Sequence, residues 1–188
     1  MAFILAALGT WRLSSRSSNP PDGIQVLLVT AVAIGVGSFL FHTVATAWAR
    51  VLDIVPILFF QLAFLWLYGR QIIALKRSTM TVALTAYLAV SIAGRQFPEI
   101  LNGSLIYAPT LLAILGLGIY HARHAAVARF GLLAAAAVLA AAVLFRSIDN
   151  AVCGTFPIGT HFLWHLSNGV VVYLAVRALV HHQPTQFR

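Results

Sequence analysis

Long stretches without charged residues divide this chain into apolar segments. Six of them occupy residues 23–49, 54–69, 78–94, 100–122, 130–145 and 150–176. Because the hydrocarbon core of a bilayer requires about 20 apolar helical residues, each stretch predicts a membrane-spanning α-helix. A seventh segment, MAFILAALGTW, rises only about 16 Å as a helix before Arg12 and predicts a shortened first helix. The pattern therefore predicts an all-α fold, a polytopic seven-transmembrane-helix bundle.

The composition supports a single membrane domain. Of the 188 residues, 61% are hydrophobic and 9% are charged, whereas soluble domains contain roughly 25% charged residues. So few charges cannot cover a water-exposed surface, and residues 1–188 are expected to form one transmembrane domain. The net charge of +8 is scattered between apolar runs, which argues against a nucleic-acid partner. No protein partner is indicated.

Basic residues are distributed unequally between the two sides of the predicted bundle. The connections after spans 2, 4 and 6 contain only Arg50, Arg95 and Arg146. Those after spans 1, 3, 5 and 7 contain Arg12, Arg16, Arg70, Lys76, Arg77, Arg123, Arg129, Arg177 and Arg188. Because Lys and Arg mark cytoplasmic loops, the N-terminus is predicted outside and the C-terminus in the cytoplasm. The Ala-rich, Lys-poor composition favours a bacterial inner membrane.

Three histidines are predicted at equal depth near the outer side. His42 lies near the end of span 2, and His161 and His165 lie near the start of span 7. The last two are four residues apart and share one helical face. Such a pair alone is more often explained by interfacial packing. A third imidazole at the same depth favours a metal site, since three histidines and water form a catalytic zinc arrangement.

Two further polar residues accompany these histidines. Ser38 precedes His42 by one helical turn; its hydroxyl could bond back to a backbone carbonyl or donate to an oxyanion. Asp53 could pair with Arg50, or could act beside a metal as a general base or as a partner of a ligand histidine.

Another pair of opposite charges lies three residues apart near the outer side. For Arg146 and Asp149 we expect structural pairing, and the alternative is that they support the metal ligands from behind.

The order of these motifs resembles the alkaline ceramidase family, part of the CREST superfamily of membrane hydrolases. The resemblance rests on S-x-x-x-H, an Asp eleven residues later and H-x-x-W-H, in the contexts GVGSFLFH, LDIVPI, IDNAVC and GTHFLWH. It implies Zn²⁺ bound by His42, His161 and His165, with Ser38 and Asp53 as catalytic residues. The implied reaction is hydrolysis of the N-acyl bond of a ceramide-like membrane lipid to a fatty acid and a sphingoid base.

The chain departs from the family at its start. The family begins with an acidic, Cys-containing segment that binds calcium, whereas this sequence starts at what looks like the middle of helix 1. We therefore expect no Ca²⁺ site and a free Cys153.

Three other functions remain open at the level of sequence. The chain could hydrolyse another lipid amide or ester, because the acyl-binding wall would be equally apolar. It could be a receptor or sensor of the related seven-helix adiponectin-receptor type with a zinc site. It could also carry haem through two histidines.

Overall fold

The computed structural model describes residues 1–181, so Arg188 of the charge comparison lies outside the described part. Within those residues the regular structure is helical. The helices are α1 (Ala2–Ser15), α2 (Ile24–Val44), α3 (Ala47–Gln71), α4 (Arg77–Gly94), α5 (Ala108–His124), α6 (Gly131–Val152) and α7 (His161–Val180), and a 3₁₀ segment (Ile100–Tyr107) leads into α5. The prediction of an all-α chain with seven helices is confirmed.

The helices form a closed ring. Each helix packs against the next one along the chain, α7 packs against α1, and α7 also contacts α3 across the ring. Because the connections are short, successive helices alternate in direction. The starts of α1, α3, α5 and α7 therefore lie at the same end as the ends of α2, α4 and α6. We call this the site end.

Five helical stretches are long and apolar enough to cross a membrane. They are Ile24–Val44, Ala47–Gln71, Ile100–His124, Gly131–Val152 and His161–Val180. Many large apolar side chains on their outer faces are exposed, for example Val29, Phe59 and Leu112. Helices that are apolar all round are typical of a lipid environment. The chain therefore has the character of an integral, multi-pass membrane protein.

The charge-free stretches locate the helices but misplace several of their ends. Helix α6 continues through Arg146 and Asp149 to Val152, and α7 begins only at His161, so the boundaries predicted at 145 and 150 are wrong. Helix α3 similarly begins at Ala47, before the charged residues at its start. A charged side chain near a helix end can face a cavity while backbone hydrogen bonding continues. Charge therefore does not mark where the helix stops.

Helices α2 and α3 approach each other closely at Gly37. Pro56 lacks an N–H group, so the carbonyl of Leu52 receives no helical hydrogen bond from it. This carbonyl lies against Gly37: a Cβ added there would overlap it and would come within 3.1 Å of the Asp53 nitrogen. These obstructing atoms belong to the backbone and cannot rotate away. The absence of a side chain at Gly37 therefore brings Ser38 and Asp53 together.

We expect Gly37→Ala to destabilise the protein by about 1–3 kcal/mol, as overpacking a tight contact does. Gly116→Ala is the matched control, because nothing lies within 4 Å of a Cβ at that helical glycine. The control should be as stable as the parent or more so, since alanine favours helix over glycine. Thermal unfolding in detergent measures both. A Gly37→Ala variant that melts no lower than the parent would contradict the close contact.

Candidate metal centre

Two helix ends bring the three histidines to one place. His42 lies in the last turn of α2, which ends two residues later. His161 is the first residue of α7, and His165 follows one turn further on, so both imidazoles project from the same face. The centroids of these two rings are 4.8 Å apart. The ring of His42 is 5.4 Å from that of His161 and 4.9 Å from that of His165.

The three imidazoles are close enough to share one ion. One ring nitrogen from each residue lies within 4.8 Å of the other two, and Nε2 of His42 is 2.9 Å from Nε2 of His165. In a tetrahedral zinc site, Zn–N bonds of 2.0–2.1 Å separate the nitrogens by about 3.3 Å. This separation lies between the 2.9 Å of the His42–His165 pair and the 4.8 Å limit of the whole group. His42, His161 and His165 could therefore hold a metal ion.

Ser38 lies behind one of these rings. The side chain is buried, and its Oγ lies 3.3 Å from Nδ1 of His165. Of the two roles that the sequence left open, a bond back to a backbone carbonyl is not the contact found here. A hydrogen-bond partner on the second ring nitrogen fixes the tautomer and orientation of a metal-binding histidine. Ser38 is therefore placed to direct Nε2 of His165 towards an ion.

Asp53 projects from α3 into the same region. Its carboxyl group lies close enough to His42 and Ser38 to interact with both, and it lines a cavity together with His161 and His165. Among the residues that the structure describes, its buried Oδ1 has no hydrogen-bond partner. A pair with Arg50 therefore does not satisfy this oxygen. An unpartnered buried acceptor is costly, and Asp53 is free to accept a hydrogen bond from a water molecule or a substrate.

Asp149 fixes the start of α7. Its Oδ1 accepts hydrogen bonds from the backbone N–H groups of Thr160 at 2.6 Å and His161 at 2.9 Å. Gly159 has φ +65°, and a Cβ there would overlap this carboxylate. A carboxylate at a helix N-terminus satisfies orphan donors and favours the helix dipole. Sequence reasoning missed this role, because twelve residues and an irregular loop separate Asp149 from His161.

Arg146 also departs from the expected pairing with Asp149. Its guanidinium lies 5.6 Å from the ring centroid of Tyr107 and 5.7 Å from that of Trp164, within cation–π range. Asn102 donates to its backbone carbonyl at 3.3 Å. Arg146 therefore faces the interior beside the histidines. No spacing signal in the sequence distinguishes this position from an ordinary interfacial arginine.

A cavity of about 530 Å³ is lined by Asp53, Arg146, His161 and His165. That size is within the usual range for small-molecule sites. A narrower, mainly apolar cavity adjoins it and shares Ile57, Gln61, Tyr107 and Trp164 with it. His161 and His165 therefore lie at the polar end of a longer space inside the ring.

The histidine geometry disfavours haem. Two axial histidines must lie on opposite faces of a flat macrocycle, whereas His42 and His165 contact each other directly through their Nε2 atoms. Cys153 is free and exposed, and it is not part of the histidine group.

Comparison with models of protein families, with curated proteins and with solved structures finds no match for this chain. Fold and site together define a class: a multi-pass, all-α membrane protein with three histidines that could bind a metal ion.

We expect the double variant His161→Ala, His165→Ala to purify without zinc, because two of three ligands are lost. His181→Ala, just past the far end of α7, is the matched control and should retain about one zinc per chain. Elemental analysis of detergent-purified protein measures both. Full zinc occupancy in the double variant would contradict the site.

We expect Asp149→Ala to lower the free energy of unfolding by about 1 kcal/mol, the usual cost of losing a helix cap. Zinc affinity should also fall, because the first turn of α7 carries His161. Asp149→Asn keeps an oxygen acceptor and should lose less in both measurements. Chemical denaturation and zinc titration test this pair. Equal zinc affinities in Asp149→Ala and the parent would show that the cap does not position His161.

Proposed function

We propose that this chain is a zinc-dependent membrane amidase that hydrolyses the N-acyl bond of ceramide-like lipids to a fatty acid and a sphingoid base. One observation carries the proposal: three imidazoles could hold zinc, and two of them, from His161 and His165, line a cavity with Asp53, whose Oδ1 has no hydrogen-bond partner among the described residues. Metal ligands and a free carboxylate together are the parts of a hydrolytic site. The motif resemblance to alkaline ceramidases supports the same reaction.

We also propose how the chain lies in the membrane. All seven helices are embedded, with α1 and α4 completing the ring around the five long apolar stretches. The N-terminus lies outside and the C-terminus in the cytoplasm, because the end opposite the histidines carries most of the Lys and Arg residues. The site then opens in the outer half of the bilayer, where a lipid can reach it without leaving the membrane.

Bound zinc would lower the pKa of a water molecule towards about 7 and polarise a carbonyl group. Asp53 acts as the general base, because its carboxyl group lies beside the histidines and has an unpartnered oxygen. It takes a proton from the water that attacks the amide carbonyl. It then gives that proton to the departing amine nitrogen, so one carboxyl group serves both halves of the reaction.

Ser38 supports the site through its contact with His165. Its hydroxyl keeps Nδ1 of that ring occupied and leaves Nε2 for the metal. With Nε2 on a metal, Nδ1–H donates to the Ser38 oxygen, so the hydroxyl proton remains available for donation to the oxyanion, the role implied by the resemblance. The same hydroxyl is also close to Asp53. It can hydrogen-bond to that carboxyl group in either of its protonation states.

The acyl chain is assigned to the narrower apolar cavity. Its lining includes Phe60, Phe64, Ile114 and Leu139, all of them buried. Because the chain of a membrane lipid comes from an equally apolar bilayer, these side chains contribute packing against the chain rather than a hydrophobic gain. The amide bond then lies at the junction of the two cavities, beside the histidines.

A receptor with a purely structural zinc site fits the geometry less well. Structural zinc sites are closed by four protein ligands, whereas the group here has three histidines and a neighbouring carboxylate oxygen without a partner. A hydrolase of another lipid amide or ester would use the same residues, so a panel of N-acyl and O-acyl lipids separates these substrates.

We expect Asp53→Asn to lower hydrolysis of a fluorescent N-acyl sphingoid lipid by about 10²- to 10⁴-fold, the usual contribution of a general base. Zinc content should remain close to one per chain, because Asp53 is not a ligand. Asp22→Asn, in the connection before α2 at the opposite end, is the matched control and should keep full activity. Unchanged turnover in Asp53→Asn would overturn the assignment of the base. A parent protein that holds zinc but hydrolyses no lipid of the panel would overturn the proposed function.

A further inference from the structure

The cavity beside the histidines carries an unexpected excess of positive charge. Three arginines line it, Arg50 from α3, Arg95 from the end of α4 and Arg146 from α6, with Asp53 as the acidic group of the lining. They come from three different helices, so no single local motif accounts for them. The lining therefore has a formal charge of about +2 when all four groups are ionised.

Membrane topology does not explain this clustering. Arg50, Arg95 and Arg146 are the basic residues assigned to the non-cytoplasmic connections, the side on which Lys and Arg are normally depleted. Arg50 and Arg95 are exposed and Arg146 is half-buried, but arginines that only anchor helix ends at the interface need not meet. All three instead line the same cavity.

Arg146 is the most constrained of the three. It is half-buried, and its Nε is buried without a hydrogen-bond partner among the residues that the structure describes. The rings of Tyr107 and Trp164 lie together on one side of the guanidinium, within cation–π range. The neighbouring carboxylate of Asp149 is committed to the backbone of α7. Asp53 lies within electrostatic range of Arg146 but is the base of the proposed reaction, and a half-buried guanidinium at membrane depth is costly unless an anion pairs with it.

We propose that the substrate of this cavity is an acyl lipid with a phosphate-bearing headgroup, and that Arg146, assisted by Arg50 and Arg95, binds the phosphate. Guanidinium groups match phosphate oxygens with two parallel hydrogen bonds. Several arginines around one site suit a group with more than one negative oxygen. The inference rests on the proposed function for the position of the acyl bond, whereas headgroup binding can be measured without turnover.

The two halves of the site then have separate tasks. The arginines hold the headgroup at the mouth of the cavity, and the apolar cavity beyond Trp164 takes the acyl chain. The scissile bond between headgroup and chain is thereby placed beside the histidines. A neutral lipid of the same chain length leaves the guanidinium of Arg146 unpaired and should bind more weakly.

The test compares binding of two lipids that differ only in the headgroup, an N-acyl sphingoid base with a free hydroxyl and the same lipid with a phosphomonoester. Binding is measured by native mass spectrometry and fluorescence competition in neutral detergent, in an Asp53→Asn background that retains zinc and does not consume the ligand. We expect the phosphate-bearing lipid to bind about ten- to a hundredfold more tightly, as hydrogen bonds to a charged group imply. Arg146→Gln should abolish that preference, so that the two lipids bind with equal affinity.

Arg129→Gln is the matched control, since that arginine also lies over an aromatic ring, 4.4 Å from the centroid of Phe130, but at the opposite end. It should keep the preference. Equal affinity for the two lipids, or a preference that survives Arg146→Gln, would overturn the proposal. Inorganic phosphate added as a competitor should displace the lipid only weakly; if it competes as well as the phosphate-bearing lipid, the site binds free anion and the lipid assignment is wrong. Headgroup discrimination in a protein that hydrolyses neither lipid would contradict the proposed function while leaving the arginine site intact.

Discussion

The site depends on holding α2 and α7 at a separation that lets His42 reach His165. Helix α1 packs against both of these helices and sets this separation. It can lie so close because its neighbours present glycines: a Cβ at Gly35 would come within 2.8 Å of Ile4, and one at Gly169 within 2.7 Å of Ala2. The short first helix is thus a spacer for the metal centre.

The second constraint is the cost of polar groups inside an apolar bundle. A cluster of imidazoles, a carboxylate and an arginine at membrane depth is stable only if most of their polar atoms are paired. Some of these polar atoms are paired: Ser38 contacts His165, and the carboxylate of Asp149 accepts a hydrogen bond from the backbone of α7. The atoms left over, Oδ1 of Asp53 and Nε of Arg146, belong to residues that line the cavity. Because these two atoms are unpaired, Asp53 and Arg146 are the residues to which we assign functional roles.

Hydropathy was sufficient to predict the helices and the depth of the histidines. Seven alternating helices place the end of α2 and the start of α7 at the same side, so His42, His161 and His165 had to lie at a similar level. Their lateral proximity does not follow from depth, because it depends on how α1 packs between α2 and α7. The sequence could suggest it only through the order of motifs.

The residues that sequence reasoning misjudged lie where the backbone is irregular. Asp149 reaches α7 across a loop whose path depends on the positive φ of Gly159. Arg146 is held beside a turn in which Leu101, Asn102 and Gly103 are all left-handed. An i, i+3 spacing of opposite charges predicts an ion pair only if nothing else competes for the two groups. Here a helix N-terminus competes for the carboxylate and two aromatic rings compete for the guanidinium.

The central claim is that one metal ion joins α2 to α7 through three imidazoles. X-ray absorption at the zinc edge of the purified protein tests it most directly. The account predicts a shell of about four nitrogen or oxygen ligands at 2.0–2.1 Å, with the outer-shell scattering of three imidazoles and no sulfur. A sulfur ligand at about 2.3 Å, or an all-oxygen shell without imidazole scattering, would contradict it.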